Sequence, residues 1–184
     1  MDEKSPQDQI PEIIIAADGS GATQALALLF NLKERYRQGI KHIILFSPWL
    51  NLSPKSPLLQ DKKTSDELLS ADSICRSSDI YTYSSNLENP FISPLFITEE
   101  PLKNFPPVYI QMGEKEKLEA NGVTCTLDVW KNMMFMFQMA DEYLEEAHLA
   151  LEKIGKLATA RKTVPEDFYA NYSAPLRTSL STEA

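Results

Sequence analysis

Residues 10–17 (IPEIIIAA) lead into Asp18-Gly19-Ser20-Gly21, and then Ala22, Ala25, Leu26, Leu29, Leu32 and Tyr36 recur at helical spacing. The β-branched run predicts a strand buried on both faces. The glycine-bearing tetrapeptide is a tight turn, and the helix after it is stopped by Gly39. Residues 42–47 (HIILFS) form a second apolar strand ended by Pro48. Strand, turn, helix and strand in this order imply parallel pairing through a right-handed crossover.

Downstream the pattern loosens. Eight of the 12 prolines fall between residues 48 and 107, with Ser and Asn clusters among them, so this stretch reads as a long excursion carrying short helices, one or two of them within 68–83. Order returns at 108–112 (VYIQM) and 125–130 (CTLDVW), two further strands. A helix is predicted over 139–158, with Ala140, Tyr143, Leu144, Ala147, Leu151, Ile154 and Ala158 as its apolar stripe and Glu145, Glu146, Glu152 and Lys156 facing water. Four strands and two clear helices make an open α/β sheet. The last two strands are separated by a segment short for a parallel crossover, and Asn121-Gly122 is a hairpin signal, so both parallel and antiparallel pairing stay open.

Composition narrows the function classes. The chain has 184 residues, 43% hydrophobic, which suits one core, and a net charge of −8 with no basic stripe argues against nucleic acid. Cys75 and Cys125 stand 50 residues apart, outside any Cys-x-x-Cys pair, and read as reduced structural cysteines. No metal-ligand cluster and no cofactor motif is present. The polar first nine residues lack the apolar core of a secretion signal, and no apolar run approaches the ~20 residues that span a bilayer. The expectation is a soluble cytoplasmic protein with no membrane span.

Sites in open α/β sheets lie beyond the carboxyl ends of the strands. The loops there carry an ordered series. Ala17-Asp18-Gly19-Ser20-Gly21-Ala22 resembles a Gly-Asp-Ser-Ala-Gly-Gly nucleophile elbow. Ser47-Pro48-Trp49-Leu50-Asn51-Leu52-Ser53 is similar to Ser-Pro-Trp-x-Asp-x-Ser. Asn89-Pro90-Phe91-Ile92-Ser93-Pro94-Leu95 resembles Asp/Asn-Pro-x-x-Ser-Pro-Leu. Pro106-Pro107-Val108 through Gly113, with Glu116 and Leu118, is similar to a strand and Gly-x-x-Asp-x-Leu loop. Trp130 to Phe137 matches Trp-x-Gly-Met-x-His-x-Phe. Together these five segments resemble the hormone-sensitive-lipase type of α/β-hydrolase, which includes arylacetamide and steryl deacetylases.

The resemblance implies a truncated α/β-hydrolase fold: an open, mostly parallel sheet of about four strands with flanking helices. Residues 10–158 would be a partial hydrolase domain with 48–107 as a cap-like excursion, and 159–184, which lacks periodicity, a mobile tail. The family's oxyanion loop lies upstream of the elbow, yet only nine residues precede Ile10 here. Ile13–Ala17 is therefore expected to be a bare apolar edge, open to a partner chain or to self-association.

The resemblance places Gly19 at the nucleophile, Glu116 at the acid and Phe135 at the histidine. Glycine accepts the positive φ of the elbow but carries no hydroxyl. Ser20 stands one residue late, where capping of the helix is its natural role and displaced nucleophile the alternative. Phe135 exchanges no proton. His42 and His148 lie roughly 16 and 15 Å from the site by strand and helix rise, and read as surface or boundary residues. Met133, Met134, Met136 and Met139, clustered around Phe135 and Phe137, suggest an apolar plug; a ligand surface built from Trp49, Met134, Met136 and Phe137 is the alternative. The expected function is an esterase-, lipase- or deacetylase-like protein that has lost ester hydrolysis. The alternatives are a non-catalytic binder of a small apolar ester-like ligand or partner chain, and a weak residual carboxylic-ester hydrolase.

Overall fold

The computed structural model describes residues 12–54, 66, 68–98, 100–113 and 125–159. Among them one sheet contains β1 (Ile13–Asp18), β2 (Ile40–Phe46), β3 (Val108–Gly113) and β4 (Cys125–Trp130), arranged in chain order. Every neighbouring pair is parallel. This closes the alternative left open for the last two strands: Val108 pairs with Cys125 and Gly113 with Trp130 in one parallel register. The loop after Trp130 therefore lies at the same end of the sheet as the turn after Asp18.

The helices are α1 (Gly19–Asn31), a single turn α2 (Glu34–Arg37), α3 (Ala71–Tyr81) and α4 (Glu145–Thr159). Strand alternation sends side chains to two faces. Ile43, Leu45, Val108 and Ile110 pack with Ala22, Leu26 and Leu29 of α1. On the opposite face Ile44 and Tyr109 pack with Leu157, flanked by Ile14, Phe46 and Ile154. The result is a three-layer α/β/α arrangement, each fully buried Leu or Ile contributing about 1.5–3 kcal/mol relative to exposure.

Three expectations are corrected. The first helix ends at Asn31, with Leu32 in extended backbone as its cap, and Tyr36 belongs to the separate turn α2, where it is exposed. The last helix starts at Glu145, because residues 133–139 are spent on a loop and the 3-10 turn Phe137–Ala140. Its inward face is accordingly Ala147, Ala150, Ile154 and Leu157; Tyr143 is 85% exposed and Leu151 36%. Glu145 and Glu146 occupy its first turn, where the helix dipole favours negative charge. Finally, β1 is not buried on both faces. It is the sheet's outer strand among the described residues, with Ile13 45% exposed and Ala16 exposed.

The excursion between β2 and β3 is tied down by short-range polar chemistry. The Ser93 hydroxyl accepts the Leu52 N–H at 3.0 Å, the Ser78 hydroxyl donates to the Leu52 carbonyl at 2.6 Å, and the Leu95 N–H donates to the Leu50 carbonyl at 3.1 Å. Two of the matched segments, 47–53 and 89–95, are thus clamped to each other. Glu116 and the tail from residue 160 onward lie outside the described residues. No helix among the described residues is long and apolar enough to cross a membrane.

Candidate functional site

The turn after β1 and the loops after β2 and β4 meet at the carboxyl end of the sheet. The Trp49 N–H donates to the Gly19 carbonyl at 2.9 Å, and the Thr23 hydroxyl donates to the Trp49 carbonyl, so the elbow and the loop after β2 form one unit. Ser47 donates its N–H to the Gln111 carbonyl at 2.9 Å, and its hydroxyl accepts the Met136 N–H at 3.1 Å. The Phe135 N–H donates to the Asp66 carboxylate at 2.5 Å. Of four non-glycine residues with left-handed backbone among the described residues, Ser47, Asn132 and Met136 sit in these loops, which concentrates backbone strain at this edge.

The turn itself follows the expected pattern. Gly19 has φ +41°, the conformation that a nucleophile elbow demands and that glycine adopts without a Cβ penalty. A Cβ placed on Gly19 would stand 3.7 Å from Phe135 Cζ, an ordinary contact. The two matched positions therefore face each other, glycine against an aromatic ring. Neither supplies a hydroxyl, an imidazole or any other group that attacks a carbonyl or moves a proton. Close by, Gly113 is required by space alone: a Cβ there would lie 2.2 Å from the Met133 carbonyl oxygen.

Ser20 is exposed within the first turn of α1, and Asp18 is the N-cap residue, making no side-chain capping bond; the capping role expected of Ser20 is not taken up. Trp49, Phe135, Met134 and Met136 are half-buried. Phe137 is fully buried, its ring 5.8 Å from that of Trp130, and packs with Ala147 and Ala150 alongside Met133 and Met134. Met139 is 80% exposed and takes no part in that cluster. His148 is exposed and paired with Asp141 at 2.9 Å. His42, expected at the surface, is buried on β2, on the face that packs against α4; burial, helped by the Lys41 charge, holds its imidazole below the usual range. Among the described residues no group of three or more His, Cys, Asp or Glu could hold a metal.

Beneath the loop lies a polar cluster that sequence reasoning missed. Asp128, 1% exposed, takes the Tyr109 hydroxyl at 2.5 Å, the Trp130 indole N–H at 3.0 Å and the Gln111 amide at 3.1 Å on Oδ2, and the Lys153 ammonium at 2.8 Å on Oδ1. A usable signal existed: Gln111 and Asp128 are polar residues inside otherwise apolar strand segments. Asp66 had none, because its partner is a backbone N–H distant in sequence.

A family model described as alpha/beta hydrolase fold matches residues 7–139. The chain belongs to the α/β-hydrolase family. Within that family its likeness is to the hormone-sensitive-lipase type. An esterase of Acinetobacter venetianus is 32% identical over 161 residues, covering 81% of this chain and 52% of that protein. An acetyl-hydrolase of Streptomyces hygroscopicus is 24% identical, over 78% of this chain and 50% of its own length. The crystal structure of an esterase from the bacterial hormone-sensitive lipase family superposes with a TM-score of 0.66 at 24% identity, covering 81% of this chain and 53% of that one. This α/β-hydrolase chain thus spans about half the length of the relatives that it matches.

Proposed function

We propose that this α/β-hydrolase chain no longer hydrolyses esters. One observation carries the reading: the two positions matched to the nucleophile and its base are Gly19 and Phe135, which face each other so that a Cβ on residue 19 would meet the ring. An acyl transfer needs a hydroxyl on the elbow and a neighbouring base to take its proton. A positioned base contributes about 10²–10⁴-fold, and triad members act as a unit, so losing two leaves little beyond binding. Ser20 does not substitute, since it is exposed on the helix rather than on the turn. The purified chain is expected to release no phenol from a short-chain aryl acetate above the rate of its own Ser20→Ala variant. Turnover that vanishes in Ser20→Ala would overturn the proposal.

A second reading is retention of a small apolar, ester-like ligand without turnover. The half-buried Trp49, bonded to Gly19, and the half-buried Phe135 facing it favour this reading, since they offer apolar contact at the matched position, with the half-buried Met134 and Met136 on either side of Phe135 in sequence. Saturable binding of such an ester, weakened by Met136→Glu and accompanied by no hydrolysis, separates this from an empty, plugged site. A third property belongs with these: β1, the outermost strand among the described residues, offers an edge on which a partner strand would pair.

A further inference from the structure

The loop 131–138 carries Phe135 over Gly19, and both of its ends stand on one oxygen atom. At its start the Trp130 indole donates to Asp128 Oδ2 at 3.0 Å. At its end the Gln138 amide donates to Gln111 Oε1 at 3.2 Å, and the Gln111 amide donates to the same Asp128 Oδ2 at 3.1 Å. The Tyr109 hydroxyl completes the set on that oxygen at 2.5 Å, while Lys153 of α4 holds the other carboxylate oxygen at 2.8 Å. Asp128 lies outside the motif residues matched to the family, and a carboxylate 1% exposed costs heavily unless all its lone pairs are used.

We infer that Asp128 is the positioning residue of this site: it fixes both ends of the 131–138 loop and so keeps the Phe135 ring over the Gly19 position. Between its ends the loop is held by its backbone, Met136 to Ser47 and Phe135 to Asp66, and by Met133 and Met134 packed beside Phe137. An amide in place of the carboxylate cannot satisfy the same donors. If its oxygen stays with Tyr109, Gln111 and Trp130, its NH2 meets the Lys153 ammonium; turned over, its NH2 meets three donors. Either orientation weakens both ends: the first trades a charged acceptor for a neutral one, and the second removes the acceptor.

The inference builds on the proposed non-hydrolysing site but concerns geometry, so its test reads accessibility rather than turnover. In the full chain carrying Gly19→Cys, alkylation of residue 19 by iodoacetamide is followed by peptide-resolved mass spectrometry, which separates it from Cys75 and Cys125. Asp128→Asn is expected to accelerate alkylation at least about tenfold, the scale of losing hydrogen bonds to a charged group. Trp130→Phe and Gln138→Met, each freeing one end, accelerate it less and together more. Ile40→Ala, which weakens the core on the α1 face of the sheet at the far end of β2, leaves the rate where it was. An unchanged rate in Asp128→Asn, or equal acceleration by Ile40→Ala, overturns the inference. Should Asp128→Asn not fold, the Trp130→Phe/Gln138→Met pair decides, and no acceleration there overturns it. Ester turnover by the unmodified chain would sink the proposed function and leave this result standing.

Discussion

Gly113 and Gly19 are both glycines at the carboxyl edge, but for opposite reasons. Gly113 is excluded from carrying a side chain by the Met133 backbone, 2.2 Å from where its Cβ would be. Gly113→Ala is therefore expected to lower unfolding free energy by about 1–3 kcal/mol, the usual cost of overpacking, read from urea denaturation. Gly19 has room for a Cβ, and only its φ of +41° favours glycine. The fold thus does not force the missing hydroxyl. At this scale the matched positions Gly19 and Phe135 were legible because a strand-to-helix turn and a spaced Trp-x-x-Met-x-x-x-Phe run leave a linear trace. Asp66 and the role of Asp128 were not, since their partners are assembled from four separate parts of the chain.

Among the elements, β2 is the strand whose chemistry departs most from its sequence reading. A histidine at the start of a strand looks like a boundary residue, yet His42, paired with Ile14 of β1 and one residue before the pairing with β3 begins, is buried. Its folded pKa is lowered from the ordinary value near 6.5 by burial, then by Lys41. Between the folded and the unfolded value the unfolded chain binds more protons, so stability rises with pH in that window. The contribution is fully present above about pH 6.5 and is lost as pH falls below it. The midpoint of thermal unfolding should therefore drop between pH 7.5 and 5.5, and drop less in His42→Gln. Strand positions and the existence of α1 and α4 were legible from periodicity. The start of α4 was not: an apolar run with helical spacing cannot announce that Met136 will adopt φ +54° and send Phe137 inward.

For the molecule as a whole, the parallel sheet followed from the sequence except at its last pair, where a short connection and an Asn-Gly step gave equal standing to a hairpin. Register decided it, since parallel pairing sets Gln111 beside Asp128, and their side chains hydrogen-bond. The resemblance, and not the apolar run, led to the expectation that β1 stands at an edge, and it is the outer strand among the described residues. Sheet edges of this kind pair with other strands, and a lysine is a common guard against it. The 184-residue chain is expected to self-associate in sedimentation velocity, and Ala16→Lys, at an exposed edge position, to shift it toward monomer. A monomeric wild type at high concentration would count against edge pairing. Strand order equal to chain order has a consequence for synthesis. Among the four described strands none must insert between two that are already paired, so as the chain emerges from the ribosome, earlier parts first, each docks on the one before it. Parallel pairings are slow because the intervening chain must first close a loop. Here those waits come one after another, once for each of the three pairings.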